Sequence, residues 1–142
     1  MVVNELALTG GCLCGGVRYA VTEPFVSAGY CHCTRCQRRS GTAASAQARV
    51  LPGSLRITTG EDLLGTYDPG DGGFAKVFCT RCGSALWSRH PTDDDAISVR
   101  LGTLDGDPGI RPGYRQFVRY AAAWEPIPDD GLPRYPERRP PA

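Results

Sequence analysis

The residues with the greatest chemical capacity are seven cysteines in three short groups: Cys12-Leu13-Cys14, Cys31-His32-Cys33-Thr34-Arg35-Cys36 and Cys79-Thr80-Arg81-Cys82-Gly83. An odd count cannot pair off fully, and cysteines one or two residues apart rarely bridge each other. The pattern therefore suits a metal better than a disulfide framework. Four thiolates close a tetrahedral zinc, whereas three leave one position open, as a catalytic zinc requires. Dividing seven into four and three predicts two zinc ions per chain, one structural and one open.

Each group has its own local logic. On an extended segment, side chains at i and i+2 share a face, so Cys12 and Cys14 can reach one ion. Cys79 and Cys82 fit a tight knuckle turn, with Gly83 supplying a positive φ after the second cysteine. Those four would tie residue 12 to residue 82 and staple a small domain. Cys31, Cys33 and Cys36 remain, with His32 pointing away from the ion if its segment is extended. Arg35, Arg38 and Arg39 follow directly and are expected to surround the open position. They would either balance the cluster's negative charge or receive the carboxylates of an acidic thiol. Spacing also admits a closed second site, completed by His90 or by one of Asp93, Asp94 and Asp95. In a further partition, Cys33-x2-Cys36 joins Cys79-x2-Cys82 as a zinc ribbon. That grouping leaves Cys12, Cys14 and Cys31 over and describes a binding module rather than an enzyme.

The elements that must position these sulfurs read as strands. Val17 to Val21, Leu55 to Thr58 and Ile97 to Leu101 alternate apolar with small or polar residues, and Phe74 to Phe78 and Ala85 to Trp87 are further candidates. Gly53, Gly60, Asp68 to Gly73 and Asp105 to Gly109 punctuate them as turns. A short helix is expected from Thr34 toward Arg39, and no long helical stripe appears. The fold class is mainly β, with little helix. Residues 1–124 read as one zinc-binding domain. Residues 125–142 read as its proline-rich tail, with Leu132 and Tyr135 as anchors and Arg138 to Ala142 expected to be disordered.

Composition narrows the function classes. A chain of 142 residues with formal charge +1 has no general pull toward nucleic acid or anionic membrane. No apolar run approaches the roughly 18 residues needed to span a bilayer. The opening Met1 to Glu5 lacks the basic start and apolar stretch of a secretory signal, so a cytoplasmic location with reduced thiols is expected. Asp68 to Gly73 lacks the lysine and the helix of a phosphate loop, and reads as a turn. Asp93 to Asp95 reads as a solvated loop, His90 as a surface or capping residue, and Trp87 and Trp124 as core or lid residues.

Gly11 to Tyr19, Cys31 to Arg38 with Ser40-Gly41, and Phe78 to Ser84 closely resemble the glutathione-dependent formaldehyde-activating enzyme family, and the resemblance extends from about Gly10 to Trp124. It implies an all-β, zinc-containing β-tent of short antiparallel strands. It implies a structural zinc on Cys12, Cys14, Cys79 and Cys82, and a catalytic zinc on Cys31, Cys33 and Cys36. The activity implied is that of a carbon–sulfur lyase, similar to S-(hydroxymethyl)glutathione synthase, with glutathione and an aldehyde as small-molecule partners. The family also includes a centromere-associated protein, so a zinc-stabilised binding module that keeps the fold without the reaction is the alternative. Two motifs depart from the family's pattern: Arg115-Gln116-Phe117-Val118 stands where a His-Ile-Phe-Val run is common, and Ala122-Ala123-Trp124 lacks the usual proline. A free thiol of pKa about 8.5 is only about 3 % ionised at pH 7, and full ionisation on a metal is equivalent to about 2 kcal/mol of barrier. A less basic thiolate is also a weaker nucleophile, so the implied site must position the aldehyde as well.

Overall fold

The computed structural model describes residues 7–141, so the opening Met1 to Glu5 and the tail's last residue, Ala142, lie outside the described residues. Ten strands and one α-helix are present among the described residues: β1 (Leu8–Gly11), β2 (Arg18–Val21), β3 (Ser27–Cys31), α1 (Thr34–Ser40), β4 (Ser45–Arg49), β5 (Leu55–Thr59), β6 (Leu64–Tyr67), β7 (Ala75–Cys79), β8 (Ala85–His90), β9 (Asp93–Arg100) and β10 (Arg115–Gln116). The fold is mainly β, as expected. A three-stranded sheet runs β1-β2-β5, and a seven-stranded sheet runs β10-β3-β4-β9-β8-β7-β6. All pairings are antiparallel except that of β10 with β3.

Register divides the large sheet into two chemically distinct faces. Val77, Trp87, Val99, Ala48 and Ala28 lie opposite one another across β7, β8, β9, β4 and β3. All five are buried, and with Tyr19, Val21 and Leu86 they form the core. Tyr19 from the small sheet meets the Trp87 ring edge-on at 5.7 Å, which locks the two sheets face to face. Side chains alternate across a strand. The residues next to the core row therefore form a second row on the other face: Lys76, Ser88, Ser98, Arg49 and Ser27. Every member of that row lines one cavity.

Several local expectations need correction. Cys12 to Cys14 is a turn, closed by the Gly15 amide donating to the Cys12 carbonyl at 3.1 Å, rather than an extended segment. Gly15 takes φ +77° to close it, a conformation glycine adopts without strain. Asp93, Asp94 and Asp95 begin β9 instead of forming a loop. Trp124 is 68 % exposed and lies outside the core and the cavity lining, whereas Trp87 is buried as expected. The helix forms where it is expected. Cys33 caps its start by accepting the Cys36 amide, and Gly41 ends it in the left-handed region.

After β10 the chain turns back along the sheet edge. Arg115 donates its amide to Pro133 and accepts from the Tyr135 amide, and the Phe117 amide donates to Glu137. The Arg115 side chain is buried, paired with Asp130 at 2.8 Å and stacked over Tyr30 at 4.2 Å. Its Nη1 donates to His32 Nε2 at 3.2 Å, so His32 points away from the neighbouring sulfurs into this anchor.

Candidate metal centres and active site

Two cysteine groups converge, and their membership excludes the ribbon partition. Cys12, Cys14, Cys79 and Cys82 form one group and Cys31, Cys33 and Cys36 the other, with sulfurs in each lying within 4.8 Å of one another. All seven cysteines are free thiols. A tetrahedral zinc with Zn–S bonds of about 2.3 Å has sulfur–sulfur edges of ~3.8 Å. The separations of 3.5 Å for Cys12–Cys14 and 3.9 Å for Cys14–Cys79 bracket that edge, so the four sulfurs fit such an ion.

The group of four is built from a loop between β1 and β2 and from the turn between β7 and β8. It thus joins the small sheet to the large one. Gly83 has φ +79°, as the knuckle turn requires, and its amide donates to the Cys79 carbonyl at 2.7 Å. The sulfurs are surrounded by donors. The Val17 amide reaches Cys12 at 3.2 Å, the Gly16 amide reaches Cys14 at 3.4 Å, and Arg81 Nε reaches Cys14 at 3.2 Å. Those Gly16 and Arg81 contacts pull the Cys14 thiol below its ordinary pKa. Ser84, through its hydroxyl and its amide, pulls Cys82 down to about 5. Burial pushes Cys79 up.

The group of three lies on one local segment, the end of β3 and the first turn of α1. Cys31 and Cys36 are buried and Cys33 is half-buried. Contacts among the sulfurs, foremost from Cys31 and then Cys33, hold Cys36 as the thiolate, with Ser45 and Arg100 assisting. Contacts with Cys33 and Cys36, along with burial, push Cys31 up. Crowding three sulfurs together opposes ionising all of them at once, and a bound cation would relieve that repulsion. No fourth His, Cys, Asp or Glu joins this group among the described residues. His90 instead accepts the Thr92 amide through Nδ1 at 3.2 Å, in the capping role expected of it.

Beside the three cysteines is a cavity of about 690 Å³. The second row of the large sheet forms its floor, and residues near the tail form the opposite wall. Six cationic side chains line it: Arg35, Arg49, Lys76, Arg100, Arg138 and Arg139. No Asp or Glu does so among the described residues. Arg100 is fixed by Gln47 Oε1 at 2.6 Å and Ser88 Oγ at 2.9 Å. Arg49 and Arg138 both approach the Phe74 ring, at 5.5 and 5.9 Å. Arg138 and Arg139 belong to the tail segment expected to be disordered; Arg139 stacks on Tyr114, and its amide donates to Gln116.

The arginines that follow the cysteines in sequence divide differently from expectation. Arg35 lines the cavity and pairs with Asp71. Arg38 is exposed and is not in the cavity lining. Arg39 turns inward, donating to Val77 O at 2.7 Å, Trp87 O at 3.0 Å and Ser88 Oγ at 2.9 Å. Cys36 and Arg39 are three residues apart and share the helix face that packs on the sheet. Arg49, Lys76 and Arg100 were missed by sequence reading, since they come together only through strand register.

The four-cysteine cluster, and the three-cysteine cluster facing a cationic cavity, define the class as a mainly β domain with two candidate metal–thiolate centres. The sequence pattern described as "Glutathione-dependent formaldehyde-activating enzyme" matches residues 7–120, and the chain belongs to that family. A Halomonas elongata protein named "Putative glutathione-dependent formaldehyde-activating enzyme" is 27 % identical over 111 residues, spanning 72 % of this chain and 68 % of that protein. A crystal structure of a Rhodobacter sphaeroides protein superposes with a TM-score of 0.54 at 25 % identity, covering 89 % of this chain and 98 % of that one. No helix among the described residues is long and apolar enough to cross a membrane.

Proposed function

We propose that the chain is a zinc-dependent carbon–sulfur lyase that joins glutathione to an aldehyde and splits the adduct, similar to S-(hydroxymethyl)glutathione synthase. Cys12, Cys14, Cys79 and Cys82 would hold a structural zinc, and Cys31, Cys33 and Cys36 a catalytic one, giving two per chain. The observation that carries this reading is the three-sulfur group without a fourth protein ligand among the described residues, facing a cavity lined by cations. Zinc in that group would keep a substrate thiol ionised at neutral pH.

The chain's own residues account for binding and orientation. Glutathione carries two carboxylates, and Arg49, Arg138 and Arg139 offer guanidiniums to receive them in bidentate fashion. The Ser27, Ser88 and Ser98 hydroxyls add neutral donors along the floor. Arg100, held rigid by Gln47 and Ser88, places a fixed positive charge near the three sulfurs. Addition then forms a carbon–sulfur bond, the carbonyl electron pair moves to oxygen, and that oxygen takes a proton from water. Cleavage runs the same path in reverse. Metal-bound thiolates need reduced cysteines, which a reducing compartment such as the cytoplasm would keep available. Calorimetric titration with glutathione tests the reading: binding is expected in the metal-loaded protein and absent in Cys33→Ser, with the fold of that variant retained.

A further inference from the structure

The cavity carries more positive charge than glutathione can match. Asp71 pairs with Arg35, which leaves five of the six lining cations without an acidic partner in the cavity wall. A zinc on three thiolates has one net negative charge, and glutathione bound as the thiolate has two. Two cations remain over. Exposed arginines at the mouth are screened by salt and need no partner. The informative cation is therefore the half-buried one whose charged head has no ion pair, hydrogen bond or ring partner among the described residues.

That residue is Lys76, the chain's single lysine. It is half-buried on β7, directly across from Ser88, and its ammonium makes no ion pair among the described residues. It lies in the field of Cys36 and Cys33 and of two further cations, Arg100 and Arg39. Arg100 is committed to Gln47 and Ser88 and offsets the charge of the cluster. A half-buried ammonium held near another cation is unfavourable unless an anion visits it. Formaldehyde is neutral and too small to supply one.

Resting on the reading above, we infer that Lys76 binds a carboxylate carried by the electrophile, so that the aldehyde partner is an acid-bearing one, of which glyoxylate is the smallest. The addition balances as before: the sulfur lone pair forms the carbon–sulfur bond, and the former carbonyl oxygen takes a proton from water. The carboxylate is a bystander that orients the carbonyl over the sulfur. Lys76 is thus a specificity-determining residue.

Two unreactive adduct mimics test this without turnover. S-(Carboxymethyl)glutathione represents the acid-bearing adduct and S-methylglutathione the formaldehyde adduct. In calorimetric titration of the metal-loaded protein, the carboxymethyl compound is expected to bind at least about tenfold more tightly. That preference should collapse in Lys76→Met and survive in Lys76→Arg, which keeps the charge. In parallel, the ratio of kcat/KM for glyoxylate over formaldehyde should exceed one and fall at least about tenfold in Lys76→Met. Glutathione binding with equal affinity for the two mimics, or a preference that Lys76→Met leaves intact, overturns the inference and spares the lyase reading. Absence of glutathione binding altogether removes both.

Discussion

The two cysteine groups use the same ligand chemistry but differ in what their loss should cost. The group of four draws on residues more than sixty positions apart and connects two sheets, so an ion there would close the fold. The group of three lies within six residues and connects nothing that β3 and α1 do not already join. A long-range cluster contributes to folding, whereas a local cluster is free to contribute chemistry. Their surroundings agree with that division. Backbone amides and Arg81 crowd the four sulfurs, while the three face a cavity about 690 Å³ in volume.

The comparison breaks most readily at the ligands themselves. Structural zinc sites contribute on the order of 10 kcal/mol, comparable to the whole stability of a small domain. Cys14→Ser or Cys79→Ser should therefore unfold the chain or lower its melting temperature by more than about 15 °C. Cys33→Ser or Cys36→Ser should give folded protein that no longer binds glutathione. Thermal melts on the four variants check this. Equal loss of fold in both pairs would make both groups structural.

A smaller effect is expected at Arg39, which supports the local group from behind. Removing its guanidinium in Arg39→Ala leaves the Val77 and Trp87 carbonyls without this donor, at a cost of about 3 kcal/mol. Denaturant melts should show that loss, together with weaker glutathione binding, although no metal ligand has changed. A variant with normal glutathione affinity would show that α1 holds its sulfurs without this support.

Smaller still is the anchor of the tail. Arg115→Met breaks the pair with Asp130 and the bond to His32, and about 2 kcal/mol of stability should go with them. Arg138 and Arg139 should then loosen at the cavity wall, raising the KM for glutathione more than it lowers kcat. Limited proteolysis of the tail and steady-state kinetics measure the two parts. The same anchor should respond to acid. The Arg115 guanidinium holds Asp130 below the usual carboxylate range. Its contribution is therefore complete above the unfolded-state value of about 3.9 and is lost as pH falls through the depressed folded-state value. Tail cleavage should be flat near neutrality and rise only in strong acid.

The division of the cysteines into four and three was legible because ligand spacing is local and an odd count excludes full pairing. Strands β2, β5, β7, β8 and β9 were legible where apolar residues alternate. β3 (Ser-Ala-Gly-Tyr-Cys) and β4 (Ser-Ala-Gln-Ala-Arg) were missed because their inward residues are small. On the opposite, cavity-side face of β3, Gly29 is small because any Cβ there would strike the Tyr114 ring. The cavity floor was illegible for a different reason. Arg49, Lys76, Ser88 and Ser98 lie on four strands, and only pairing register places them in one row. Sequence proximity instead pointed to Arg35, Arg38 and Arg39, of which the first lines the cavity, the second is turned outward and the third is half-buried against the sheet.

The claim that one centre holds the fold and the other does the chemistry is tested most directly by stepwise metal removal. Zinc content, near-UV circular dichroism and glutathione binding would be followed together as a chelator is added to reduced protein. The account predicts two zinc ions per chain at the start. Loss of the first should abolish glutathione binding while the spectrum stays native, and loss of the second should unfold the domain. Loss of glutathione binding and fold in a single step, or a native spectrum after both ions have gone, would contradict it.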